Sequence, residues 1–215
     1  MTISVYAEYL AYRFGGTESY TANLIEALQK KYDGSYLNII TESFSDMGRP
    51  SAEELVSQLN TAFGTSISSS RLSVSYVPFG RRMPDGFSKG LTQLRSDIRT
   101  LLTTSSRFRK IQERARGSDL FINTSFLTLE GTAKKNIAVI HFPLRSLAQS
   151  NIAKRTLRRT LYLFRIDGIE RRFRMTYDRY LPNSQFTAEW LSRYWRLPDG
   201  KISVLYPPCK MAGIS

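Results

Sequence analysis

The sequence predicts a doubly wound α/β domain with a mainly parallel sheet. Three observations carry this reading. Short apolar runs alternate with helical patterns along the whole chain. Two of the runs, DLFINTS from Asp119 and NIAVIHFP from Asn136, are nearly unbroken in apolar character, as strands buried on both faces are. Glycines and polar residues fall beyond or at the ends of the strand candidates, where α/β sheets bind their ligands.

The elements follow in order. Ile3 to Ala7 reads as a first strand. Thr17 to Lys31 reads as a helix, with Ala22, Ile25 and Leu28 at helical spacing. YLNIIT, Tyr36 to Thr41, is a second strand. SAEELVSQLNTAF is a helix in which Ser51 and Glu54 form a capping box. LSVSYVP from Leu72 is a third strand, stopped by Pro78. Residues 80 to 90 read as a loop, and a long helical pattern with Phe108 and Ile111 on its apolar stripe runs to about Arg116. The strands at Asp119 and Asn136 come next, and residues 147 to 177 are basic and helical in pattern. RYLPNS is a sixth strand, FTAEWLSRYW a helix capped by Ser184, and KISVLYPP from Lys201 closes the series.

Composition bounds the rest. The 215 residues are 41% hydrophobic and 23% charged, ordinary values for one globular domain. Lys plus Arg is 31 against 18 acids, a formal charge of +13. That excess implies an anionic partner: nucleic acid, an anionic membrane surface or a phosphorylated substrate. Two segments hold most of it. Residues 81–116 and 145–179 each carry ten basic residues against three acids. Arg155, Arg158, Arg159 and Arg165 share the second segment with Leu157, Leu161 and Phe164, a basic amphipathic pattern suited to an anionic membrane surface. No nucleic-acid motif accompanies the charge, which disfavours nucleic acid as the partner. The single cysteine, Cys209, forms no intramolecular disulfide, and no metal-ligating cluster is evident. No run reaches the length of a membrane span. The expectation is a cytoplasmic protein, peripheral on the cytoplasmic face of the membrane.

Three polar marks fall at strand ends: Gly15-Gly16 after the first, His141 at the end of the fifth, and Asn183-Ser184 at the end of the sixth. Each has two readings from its residues alone. The glycine pair is a tight turn, or an anion site made by the free N–H groups and positive dipole end of the following helix. Glu18 in the first helical turn suits that dipole. His141 is a structural imidazole, or a group that donates and accepts near neutral pH. Asn183 and Ser184 are a strand end and helix cap, or ligand contacts.

Four stretches, taken together in their order, resemble a known family. GGTESYTANLIEALQKKY, DLFINTS, VIHFP and YLPNSQFTAEWLSRYWRLPDGKISVLYPP are similar to the N-terminal, acceptor-side half of a family 4-type glycosyltransferase (glycosyl transferases group 1). These are retaining enzymes of two facing Rossmann-like domains, the GT-B arrangement. The resemblance covers about residues 1–208 and makes 209–215 a truncated linker or tail.

The resemblance implies a Rossmann-like domain, the N-terminal half of a GT-B fold. It implies transfer from a nucleotide sugar, as substrate and without a cofactor, to a sugar or lipid-linked acceptor. It puts Gly15 and Gly16 against the donor phosphate, His141 at the sugar or acceptor as the catalytic-site candidate, and Asn183 and Ser184 as candidate substrate contacts. The family's second domain, with its glutamate pair and diphosphate-binding basic residues, has no counterpart here. The expectation is therefore a chain inactive alone, its partner domain supplied in cis or in trans. The alternative is a non-catalytic module, derived from such a domain, that recruits a membrane surface or protein partner.

Overall fold

The computed structural model describes residues 1–12, 14–78, 106–125, 129–141 and 171–208. Alternation within the first apolar run determines the two faces of the sheet. In β1 (Thr2–Ala7), Ile3, Val5 and Ala7 enter one core and Tyr6 the other, all buried. β2 (Tyr36–Ser43), β3 (Leu72–Pro78), β4 (Leu120–Asn123), β5 (Lys135–Ile140) and β6 (Arg179–Pro182) complete one sheet. Its order is β3-β2-β1-β4-β5-β6, with every pairing parallel. The described chain is thus a doubly wound, Rossmann-like α/β domain, as the alternation predicts.

One face is covered by α1 (Gly16–Lys31) and α2 (Ala52–Phe63). Ile25 and Leu28 of α1 and Leu55 and Leu59 of α2 pack on Ile3, Val5, Leu37 and Ile39. The capping box of α2 forms: Glu54 N–H donates to Ser51 Oγ at 3.2 Å, and Ser51 N–H donates to Glu54 Oε2 at 2.7 Å. Gly64 then ends the helix at φ 59°, a conformation costly for other residues.

The opposite face is covered by α3 (106–115), α4 (171–176) and α5 (Gln185–Trp190). Ile111, Ala115, Phe173, Trp190 and Trp195 pack there on Tyr6, Ile40, Phe121 and Ala138. Full burial of a side chain such as Phe121 contributes roughly 2–3 kcal/mol.

Two expectations need correction. FTAEWLSRYW is not one α-helix. Ser184 does cap α5, accepting from Thr187 N–H at 3.2 Å, but after Trp190 the backbone widens into a π-turn over Leu191–Trp195. Arg196 at φ 51° ends it. Leu191 and Trp195 are both buried, so packing overrides the regular helical period here. KISVLYPP does not form a full strand. It lies along β6 through one bridge, Tyr180 to Ile202, and through Ser203 N–H and Leu205 N–H donating to Tyr180 O and Pro182 O.

Candidate functional site

β1 leads to β2 and β3 on one side, while β4, β5 and β6 extend on the other. The strand order therefore reverses between β1 and β4, and the crevice beyond their carboxyl ends is where open α/β sheets bind ligands. A cavity of about 360 Å³ lies there. The end of β1 supplies Ala7, Glu8 and Tyr9; the start of α1 supplies Gly15, Gly16, Thr17, Glu18 and Thr21; the end of β4 supplies Ser125.

The glycine pair opens α1. Gly15 is its N-cap, with extended backbone at φ −109°. The first helical N–H groups, from Gly16 onward, have no acceptor within the helix and carry its positive end. Gly15 N–H donates instead to Glu18 Oε2 at 3.1 Å. A Cβ on Gly15 would sit 3.0 Å from that same oxygen, whereas one on Gly16 would meet nothing within 4 Å. The two glycines thus differ: Gly15 is tied to Glu18, and Gly16 borders open space.

The floor is polar and held by hydrogen bonds. Thr21 Oγ1 lies 3.0 Å from Thr124 Oγ1, which donates to Tyr6 O at 2.9 Å. Ser125 Oγ donates to Asn123 Oδ1 at 2.7 Å. The cavity lining includes two carboxylates, Glu8 and Glu18, and no Lys or Arg among the described residues.

His141 follows β5 and stands beside the cavity, outside its lining. Its Nε2–H donates to Thr124 O at 3.0 Å, and Tyr20 packs edge-on against the ring at 5.2 Å. Burial pushes the imidazole below its ordinary value, partly offset by the Thr124 bond and the nearby Glu18 charge. Burial thus favours the neutral imidazole, with its tautomer set by the Thr124 carbonyl. Asn183 and Ser184 lie at the β6–α5 junction: Ser184 Oγ accepts from Thr187 N–H, and Thr187 Oγ1 donates to Asn183 Oδ1 at 3.1 Å. The fold puts Gly15 and Gly16 on one cavity and His141 near it, while Asn183 and Ser184 lie outside its lining. Arg155, Arg158, Arg159 and Arg165 lie outside the described residues.

One basic residue departs from the surface reading. Arg107, counted among the cations of 81–116, is largely withdrawn from solvent. Its side chain is 11% exposed, beside Glu8 at 15% and Glu42 at 0%. Arg107 Nη2 donates to Glu8 Oε1 at 2.7 Å, and Arg107 Nε donates to Glu42 Oε1. Tyr6 Oη–H donates to the same Glu42 oxygen at 2.6 Å. Glu42 Oε2 is buried and has no hydrogen-bond partner among the described residues. Burial raises the Glu42 carboxyl to about 7, against the lowering influence of Arg107. Sequence reading missed this cluster because it joins residues 36 to 101 positions apart. It also passed over Glu8 and Ser125, whose one local signal is a polar side chain directly beyond an apolar strand.

Among the described residues no group of His, Cys, Asp or Glu is arranged to hold a metal ion. None of their helices is long and apolar enough to cross a membrane. No family model matches the chain, and no curated protein matches it. Among solved structures it is similar to a UDP-GlcNAc 2-epimerase from Neisseria meningitidis bound to UDP-GlcNAc, at 9% identity and a TM-score of 0.41. The match covers 95% of this chain and 46% of that one, so the chain spans less than half of that protein's length. A likeness at that level carries no argument about the chemistry of the cavity.

Proposed function

We propose that this chain is the acceptor-side domain of a retaining glycosyltransferase of the GT-B type, with the switch-point cavity facing a nucleotide sugar. The observation that carries the reading is the position of Gly15-Gly16, opening α1 onto the cavity beyond β1 and β4. Backbone N–H groups at a helix start stabilise a diphosphate whose charge grows as the sugar departs, and they need no reorganisation to do so. The sequence resemblance across four ordered stretches supports the same assignment. Gly16 rather than Gly15 is the donor side of the loop in this proposal, because Glu18 engages the Gly15 N–H. His141, beside the cavity, contacts the sugar or the acceptor. The second domain comes from elsewhere in the polypeptide or from another one, and the acceptor is a sugar or a lipid-linked group.

A second reading is a binding module without chemistry, which recruits an anionic membrane or a protein. The absence of Lys and Arg from the described lining, and the presence of Glu8 and Glu18, favour it. Calorimetric titration with UDP-glucose and GDP-mannose separates the two. The transferase reading expects one of these to bind, with at least about a tenfold loss in Gly16→Val and an unchanged circular dichroism spectrum. Equal affinity in the variant, or no binding of any nucleotide sugar, rejects it. Sedimentation with anionic but not neutral liposomes supports the module's membrane form.

A further inference from the structure

The Tyr6–Glu42–Arg107 cluster is connected to the cavity through one side chain, Glu8. Glu8 lines the cavity, while its Oε1 accepts from Arg107 Nη2 at 2.7 Å. Its backbone carbonyl accepts from Glu42 N–H at 3.0 Å, so the two acids sit at adjacent strand ends. Arg107 is thus shared by one carboxylate facing the cavity and one fully buried behind it.

We propose that Arg107 is a positioning residue that holds Glu8 at the cavity and that ionisation of Glu42, by competing for the same guanidinium, sets the charge the cavity presents to a ligand. With Glu42 protonated, it no longer competes with Glu8 for the Arg107 charge. With Glu42 ionised, two described carboxylates draw on that guanidinium, and the cavity side becomes more negative than before. Glu42 Oε2 is buried without a partner among the described residues, which leaves the ionised carboxylate only partly compensated. The groups facing Glu42 among the described residues are Tyr6 from β1, Glu8 beyond it and Arg107 from α3; its β3 neighbour in register, Val77, is apolar. A diphosphate ligand is therefore held more tightly at lower pH, and the dependence belongs to Glu42.

This ligand arm rests on the reading that the cavity binds a nucleotide sugar, and the test has a ligand-free arm. UDP-glucose is a suitable probe because its diphosphate diester keeps a constant charge between about pH 6 and about pH 8. Wild type is expected to bind it roughly three- to tenfold more weakly at the higher pH. Glu42→Gln is expected to bind equally at both, at the wild-type low-pH affinity. The same pH dependence in Glu42→Gln overturns the proposal. Without ligand, urea midpoints of Glu8→Gln, Glu42→Gln and the double variant form a cycle. It is expected to be non-additive in wild type, with a coupling energy that changes in Arg107→Gln, which removes the shared charge. Additivity in wild type overturns the coupling whatever the ligand does. A wild type that binds no nucleotide sugar rejects the proposed function and the ligand arm together, and leaves the coupling to be judged by the cycle alone.

Discussion

Glu42→Gln tests the buried cluster through stability alone. The folded state raises the Glu42 carboxyl from its ordinary value of 4.5 to about 7. Between those values the native state binds a proton that the unfolded state has released, so stability falls as pH rises. The contribution is fully present below 4.5 and is lost by the time the pH passes about 7. At roughly 1.4 kcal/mol per pH unit, the loss is on the order of 3 kcal/mol. With a urea slope of about 2 kcal/mol per M, the midpoint should drop by roughly 1.5 M across this interval. Glutamine does not ionise, so the variant should lack this drop and should exceed wild type at about pH 8. His141 contributes with the opposite sign: burial lowers its imidazole, so its stabilisation is lost as pH falls. Comparing wild type with Glu42→Gln at each pH removes that shared term. Urea titrations followed by tryptophan fluorescence report the midpoints, since Trp190 and Trp195 are buried in the same core. Parallel curves for the two proteins would refute the argument.

Three further outcomes are expected. Gly16→Val should leave urea stability within about 0.5 kcal/mol, because its Cβ enters open space, while calorimetry with nucleotide sugars shows the loss of binding. Ser51→Ala removes the acceptor for Glu54 N–H and should cost about 1 kcal/mol in chemical denaturation, with Ser51→Gly costing less. Gly131→Ala should cost roughly 1–3 kcal/mol. Its Cβ would stand 2.4 Å from Asn136, whose amide bonds both Ala133 N–H and Ala133 O, and a thermal melt no lower than wild type would contradict this.

The fold was legible in the sequence because its signals are local. The apolar runs are short and separated by periodic helices, so a doubly wound α/β fold with a parallel sheet follows from alternation, while the strand order and the loss of the KISVLYPP strand do not. The caps at Ser51 and Ser184 are likewise written within four residues. Gly15-Gly16 could be placed at a ligand rim because it opens the helix that follows β1. What the cavity contains was less legible. Glu18 turning back onto Gly15 N–H depends on the geometry of the cap, and Glu8 becomes a cavity wall only when β4 pairs beside β1. Arg107 reads as a surface cation in any local window, since its partners Glu8 and Glu42 come from distant strands. The π-turn at Leu191–Trp195 follows a helical pattern in sequence, and only the packing of two buried side chains marks the change.

The segment laid along β6 has a consequence for solubility. An outermost strand offers a row of unused N–H and C=O groups that templates pairing with another chain. Here Tyr180 O and Pro182 O are taken by Ser203 and Leu205, and Pro207 and Pro208 follow, two residues that cannot donate to an incoming strand. This border of the sheet is therefore sealed by its own chain. A version ending before Lys201 would present β6 bare, and its tendency to self-associate should rise with protein concentration.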